Sequence, residues 1–457
     1  MMTVRTTAPR DAFSFRLAGR WWMSVSVHPA FPLWGYVAAL LCIVMPPAVA
    51  VAYARWTSKR CRTRVAATAS SSSPALVPYT SATADCLAVD CTHPSVPNLT
   101  HHRGSKTPDA LRADTSGGIV LNAVRASHPW VTARRRVTCN HFDMDGLVAC
   151  FAALEPSAAM KYEALLREAA HIGDFRELDL QRPHGAAALS LNVWVNSVEK
   201  ATFYRPFRGS EADGAMKKYA HFLPRLPGAL ALAEACAEFV SDVAPRGCVL
   251  LEAAAEFEEE LRRVISDAAS LADAGPGAVR LTPSLGLAAV DCPRPLHYYA
   301  LFGPTRGADT VLALYPGQRY ELEHKYTGFV DLHSRPTLPR LDLAPLAAAL
   351  SRAELARGAV GVAWVANSVV DSGPLMRLES TQGKKASKAE RYAHPFERDI
   401  RASRIPQPEF ERTVRSYLSH GLHGVKARTG WTWSDIHALN AGIDWDTWAK
   451  GCKLEGV

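Results

Sequence analysis

Apolar and polar positions change period along this chain, and the changes mark out its elements. A β-branched run at residues 135–142 (RRVTCNHF) gives way at Gly146 to an Ala/Leu-rich segment of helical character that Pro156 interrupts. Residues 157–172 place Met160, Leu165, Leu166 and Ala169 at helical spacing, and Gly173 stands where a left-handed cap would end that helix. The stretch LSLNVWVNSV at 189–198 reads as a strand, and 229–243 and 249–272 read as two long helices. Strands are predicted at 280–290, 310–315 and 319–332, then a helix capped by Asp342 and running to Ala356, then a strand at 361–365. This order predicts an α/β fold in two lobes, 128–275 and 280–420, each a mixed sheet with flanking helices. A helical segment at 421–457 follows, whose Trp431, Trp433, Trp445 and Trp448 are expected to close a core edge.

Upstream the pattern is different. Residues 21–54 contain no Asp, Glu, Lys or Arg, and the apolar stretch at 33–54 is 22 residues long, against the roughly 20 needed to cross ~30 Å of hydrocarbon. One transmembrane helix is therefore expected over 33–56, after a basic leader at 1–32, with Trp34, Tyr36, Tyr53 and Trp56 at headgroup level. Arginines flank it on both sides and leave its orientation open. Asp11 is the only acidic residue before Asp85, so an organelle membrane fits the leader as well. The expectation is a single-pass membrane protein. Residues 57–115, rich in Ser, Thr, Ala and Pro without apolar period, read as a disordered linker.

Charge and cysteine usage narrow the function classes. The net charge is +8, yet residues 1–110 carry 11 Lys+Arg and 4 Asp+Glu, which leaves 41 and 40 for the remainder. A near-neutral folded part argues against nucleic acid as a partner. The most basic folded stretch, 384–404, reads as a solvated loop and lacks the P-loop glycine pattern. Ten cysteines with no CxxC pair exclude a disulfide-stapled module. Cys86, Cys91, His93, His101 and His102 match no usual zinc spacing and, inside the expected linker, receive no role.

The one sharp chemical motif is HFDMDG, His141 to Gly146. Alternate side chains of an extended segment point the same way, so His141, Asp143 and Asp145 would project together from a strand's carboxyl end. Gly146 lets the backbone turn closely at that point. Carboxylate oxygens with an imidazole suit Mn²⁺ or Mg²⁺, and paired carboxylates can hold two ions about 3.5 to 4 Å apart for attack on a phosphoester. A calcium loop starting at Asp143 fails, because Val148 and Leu154 occupy the positions that need Gly and Glu. A purely structural alternative makes Asp145 a helix N-cap and His141 a core residue.

HFDMDG after a strand resembles the first motif, HxDxDG, of the DHH phosphoesterase superfamily. The longer pattern, through LLREAAHIGDF and RPTLPRLDLAPLAAAL, also resembles an uncharacterised family of unknown function carrying HFDxDG. The resemblance implies a DHH-like first lobe, Mn²⁺-dependent hydrolysis of a phosphodiester or phosphoanhydride, metal ligation by His141, Asp143 and Asp145, and a phosphorylated small molecule or short oligonucleotide as substrate. The superfamily's Asp-His-His triplet is missing here. Asp331 and His333 (FVDLHS) are the first candidates to complete the shell, with Asp291 and Asp174 behind them. A working site needs at least one further Asp or His within ~5 Å of the motif carboxylates. Without one, the alternative is an inactive ligand-binding or scaffold protein.

Overall fold

The computed structural model describes residues 4–6, 12–17, 21–26, 74–203, 211–237, 254–382, 393–452 and 454. The chain forms two compact units, 1–72 and 73–457. In the first, β1 (Val4–Thr6), β2 (Ala12–Leu17) and β3 (Trp21–Ser26) form an antiparallel sheet in that order.

Two expectations about the amino-terminal quarter are corrected here. Residues 33–56 lie outside the described residues, and among those described no helix is long and apolar enough to cross a membrane. The start of the uncharged run, Trp21–Ser26, is a strand. The single-pass membrane assignment is withdrawn on that finding. The linker is corrected from residue 74 onward: β4 (Ala75–Leu76), β5 (Cys86–Val89) and β6 (Asn98–Leu99) belong to the main fold. All four residues of β5 are buried, so this short apolar run does what length and composition hid.

The main unit is a mixed α/β structure with two sheets and flanking helices. After β6 come α1 (Ser116–Arg125), α2 (Pro129–Thr132), β7 (Arg136–Thr138), α3 (Met144–Leu154), α4 (Pro156–Lys161), α5 (Glu163–Phe175) and α6 (Gly185–Val198). Helices α7 (Glu211–Phe222), α8 (Leu226–Ala237) and α9 (Ala254–Asp273) follow. The first sheet is parallel, in the order β4-β7-β5-β6.

The second sheet contains β8 (Val279–Thr282), β9 (Leu287–Asp291), β10 (Thr310–Tyr315), β11 (Arg319–His324), β12 (Val362–Ala366) and β13 (Leu375–Ser380), ordered β12-β13-β11-β10-β9-β8. Only β9 and β10 run parallel. Helix α10 (Tyr298–Phe302) lies between them in sequence, α11 (Ala344–Ala356) precedes β12, and α12 (Gln407–Gly421), α13 (Trp433–Gly442) and α14 (Trp445–Gly451) close the chain. Along β10, Leu312 and Leu314 enter one core with α11 and α12, while Val311, Ala313 and Tyr315 enter another with Leu301 and Phe302. Period-two alternation thus feeds two apolar layers, so both faces of the strand are covered. Trp448 is buried against the first of these layers and Trp445 stacks on Tyr417 at 4.2 Å.

Two local readings are corrected by packing. Residues 189–198 are helical, part of α6; Leu189, Leu191, Asn192, Val193, Trp194 and Val195 are all buried. A helix covered on every side shows no 3.6-residue period, and its Val/Trp content then mimics a strand. Gly173 lies inside α5, where an added Cβ would come within 2.6 Å of Met144 Cβ; the left-handed cap is Arg176, at φ 59°. The glycine serves close helix approach.

Candidate metal centre

Strands β5, β6 and β7 are parallel, and the segment that follows each carboxyl end carries ligand chemistry into one crevice. Asp90 follows β5, His101 and His102 follow β6, and His141 and Asp143 follow β7. Asp145 sits in the first turn of α3 and Asp174 in the last turn of α5. Asp90 adopts a left-handed backbone at φ 52°, a conformation seldom held by a residue with a side chain and found where surrounding structure imposes it.

The inner donors are sealed. His101 Nε2 lies 3.4 Å from Asp174 Oδ2, 3.7 Å from Asp145 Oδ2 and 3.9 Å from Asp90 Oδ1, and these side chains are at most 5% exposed. His101 Nδ1 donates to the Asp114 carbonyl at 2.5 Å, which fixes the ring proton there and turns the Nε2 lone pair toward the three carboxylates. His101 Nε2 and Asp174 Oδ2 have no hydrogen-bond partner among the described residues. Buried polar atoms left this way mark a place built for something else.

The outer donors face solvent. His141 Nε2 is 3.1 Å from Asp143 Oδ2 and 3.2 Å from Asp90 Oδ2, and the His141 and Asp143 side chains are 29% and 42% exposed. His141 Nδ1 is paired with Asn140 Oδ1 at 2.8 Å. Asp90 therefore stands between the two sets, one oxygen toward each histidine.

Backbone amides hold the carboxylates. Asp143 caps α3, accepting from Gly146 N at 2.8 Å, so the N-cap is Asp143 and not Asp145. Asp145 instead accepts from Ser116 N and Gly117 N, each at 2.7 Å, at the start of α1. The positive end of that helix fixes both oxygens at once. Gly146 is required on steric grounds: a Cβ there would lie 2.5 Å from the Tyr219 hydroxyl and 3.0 Å from Asp90 Oδ2.

Electrostatics follow from burial and crowding. Burial pushes Asp90 up to about 7, with the Asp143 charge adding to the effect. Burial and neighbouring carboxylates push Asp145 and Asp174 well above the carboxylate range. Burial holds His101 down at about 4 and His102 at about 3. Burial also opposes the charge of His141, but Asp143, Cys139 and Asp90 outweigh it and raise its pKa well above the usual value. Four carboxylates facing imidazoles, with orphaned donor atoms between them, are the electrostatic complement of a divalent cation. His101, Asp145 and Asp174 form one group able to hold a metal ion, Asp90, His101 and His102 a second, and Asp90, Cys139 and His141 a third, with ligand atoms within 4.8 Å of one another in each.

A family profile matches residues 72–429. The chain belongs to that family, DUF6687, a family of unknown function. No curated protein and no solved structure matches it. The DUF6687 match begins just ahead of β4 and so takes in the whole centre, Asp90 through Asp174.

Within this DUF6687 chain, two of the three motif residues named from sequence, His141 and Asp143, lie together in the outer set, while Asp145 lies in the inner set beside His101. Asp331 and His333 contribute backbone instead of ligands: Asp331 N donates to the His101 carbonyl at 2.8 Å, and His333 N donates to Asp114 Oδ1 at 2.8 Å. The Asp331 carboxylate faces Arg103 at 3.9 Å. Asp291 pairs with Arg280. Of the reserve candidates, Asp174 is the one in the cluster. Asp90, His101 and His102 went unassigned because they fall in the expected linker. The signal that could have found Asp90 is CLAVD, an apolar run ending in an acid, the same form as the run that ends in HFD. Of the basic stretch, 384–392 lies outside the described residues, while Arg398 pairs with Glu321 and Arg401 with Asp399.

Proposed function

We propose that Asp90, His101, His102, His141, Asp143, Asp145 and Asp174 bind two divalent cations, Mn²⁺ or Mg²⁺, and that the chain hydrolyses a phosphodiester or phosphoanhydride. The observation that carries this reading is Asp90 between an inner set (His101, Asp145, Asp174) and an outer set (His141, Asp143), with its oxygens 3.9 and 3.2 Å from the two imidazoles. Standing between the two donor sets, Asp90 would be the residue shared by two ions, one held by each set. The oxygen-rich donor set favours Mn²⁺ or Mg²⁺ over a structural zinc.

The resemblance to the DHH phosphoesterases supports the same reading. His101 and His102 supply the two imidazoles of the missing triplet, with Thr100 in its first position, and Asp90 supplies the acid at the end of another strand. When bound, such ions polarise a phosphoryl oxygen and lower the pKa of water. The protein's own part is to orient: the Asp114 carbonyl sets the His101 tautomer, the α1 amides fix Asp145, and the exposed His141 and Asp143 face the side from which a phosphorylated small molecule or short oligonucleotide arrives.

The test is metal analysis of the purified full chain, followed by phosphatase and phosphodiesterase screening with Mn²⁺. The expected result is bound metal and Mn²⁺-dependent turnover, with turnover reduced at least ~100-fold in His101→Ala and in Asp143→Asn. Absence of both metal and turnover overturns the reading and leaves a ligand-binding or scaffold protein.

A further inference from the structure

A second cluster of ligand-class side chains lies apart from the centre just described and shares no residue with it. Glu260 comes from α9, His297 is the residue before α10, and His394 precedes the short turn at Pro395–Glu397. All three are buried, at 7%, 0% and 4% exposure, and one ligand atom from each lies within 4.8 Å of the others. His297 Nε2 and His394 Nδ1 have no hydrogen-bond partner among the described residues.

The distance between His297 Nε2 and Glu260 Oε1 is 3.5 Å. That is long for a hydrogen bond and close to the roughly 3.3 Å edge of a tetrahedron whose metal–ligand bonds are ~2.0–2.1 Å. The outer contacts also fit. Asn196 Nδ2 donates to Glu260 Oε1 at 3.0 Å, Lys200 Nζ donates to Glu260 Oε2 at 3.4 Å, and the His297 backbone N–H donates to Asp267 Oδ2 at 2.7 Å. These partners fix the carboxylate and the backbone that carries the ring.

From this geometry we infer that Glu260, His297 and His394 form a second metal site, specific for a zinc-class cation. Two imidazoles and one carboxylate are a zinc donor set with one coordination position left over, whereas the first centre is rich in carboxylate oxygen. Binding costs one contact: Tyr299 N donates to His297 Nδ1 at 3.2 Å, and loading Nε2 moves the ring proton onto Nδ1. A single hydrogen bond is lost against three coordinate bonds formed. The site joins three segments that are distant in sequence, so the ion acts as a cross-link between α9, the start of α10 and the 393–397 turn.

The test is zinc stoichiometry. The full chain is stripped with a chelator, loaded with Zn²⁺, desalted and analysed, beside Glu260→Gln and His394→Gln. Each variant is expected to hold one zinc equivalent fewer than the unaltered chain while its Mn²⁺ uptake is unchanged. Equal zinc content in all three overturns the site. Where a variant fails to fold, zinc-edge anomalous diffraction from zinc-soaked crystals of the unaltered chain decides: a peak among the three side chains supports the site, and its absence there overturns it. Because Mn²⁺ uptake is read separately, failure here leaves the first centre untouched, and the converse holds.

Discussion

Asp174 is a carboxylate at the end of a helix whose side chain is 5% exposed, with three other carboxylates as neighbours and one oxygen unpartnered. A buried, unpartnered carboxyl so placed costs stability in the metal-free chain. Asp174→Asn preserves shape and removes a buried carboxyl whose ionisation burial and its neighbours oppose. The variant is expected to melt at a higher temperature than the unaltered chain in chelator, and to show little of the upward shift that Mn²⁺ gives the unaltered chain. Differential scanning calorimetry with and without Mn²⁺ checks both, since a ligand bound only by the native state raises the melting temperature.

His324 is a second residue whose behaviour follows from its surroundings. It is 2% exposed, its Nε2–H donates to the Leu341 carbonyl at 2.9 Å, and its Nδ1 accepts from Thr310 Oγ1 at 2.9 Å. Burial, with the Arg340 charge adding, holds its pKa down at about 3. The folded value lies below the unfolded one of ~6.5, so the unfolded chain binds the extra proton and stability is lost as pH falls from there toward 3. Between pH 6.5 and 4.5 this residue is expected to remove ~2 kcal/mol, an order-of-magnitude figure from a slope that approaches ~1.4 kcal/mol per pH unit below the unfolded pKa. Urea denaturation across that range should show a flatter slope for His324→Gln than for the unaltered chain.

At the scale of elements, the meeting of α1 and α3 sets the inner half of the centre. Thr115 caps α1 by accepting from Gly118 N at 3.0 Å, which leaves Ser116 N and Gly117 N free for Asp145. Thr115→Ala is expected to cost ~1 kcal/mol and to weaken metal binding by loosening those amides. Gly117→Ala is expected to cost more, ~1–3 kcal/mol, because the added Cβ would lie 2.6 Å from Val148 Cγ1 and 2.9 Å from Asp145 Oδ1. Chemical denaturation and Mn²⁺ titration of the two variants check the order. The strand ends show how much of this was legible. His141, Asp143 and Asp145 could be grouped from sequence because they lie within five residues, although the strand ends at Thr138 and Asp145 sits in the first turn of α3, so it is the turn into that helix, not an extended strand, that places them. Asp90 and His101 could not, since their proximity comes from strand pairing, β5 beside β7 and β6, that no local pattern records.

Across the main unit, Glu177 and Lys325 join the segment after α5 to the end of β11. Lys325 is fully buried, with its Nζ on the Glu177 carboxylate and donating to the Thr305 carbonyl at 3.1 Å. Its neighbour Tyr326 packs 6.0 Å from the His101 ring, and Arg103 donates to the carbonyls of Gly328 and Phe329. The loop after β11 is thereby held against the histidine-bearing segment. Glu177→Gln leaves a buried ammonium without its counter-charge and is expected to cost ~3–5 kcal/mol, read as a lower denaturation midpoint.

The sequence by itself determined the α/β character, the second sheet's strand at 310–315 and the first part of the one predicted over 319–332, and the close spacing of His and Asp side chains at His141–Gly146, because period-two alternation and close spacing are properties of neighbouring residues. Tertiary structure decided the rest. It drew residues 74–115 into the fold, made a helix of the segment ending at Val198, and completed the centre with Asp90, His101, His102 and Asp174. The physical reason is that burial on all sides erases the periodic signal, and ligands on separate parallel strands converge only once hydrogen-bonded pairing sets the strand ends side by side.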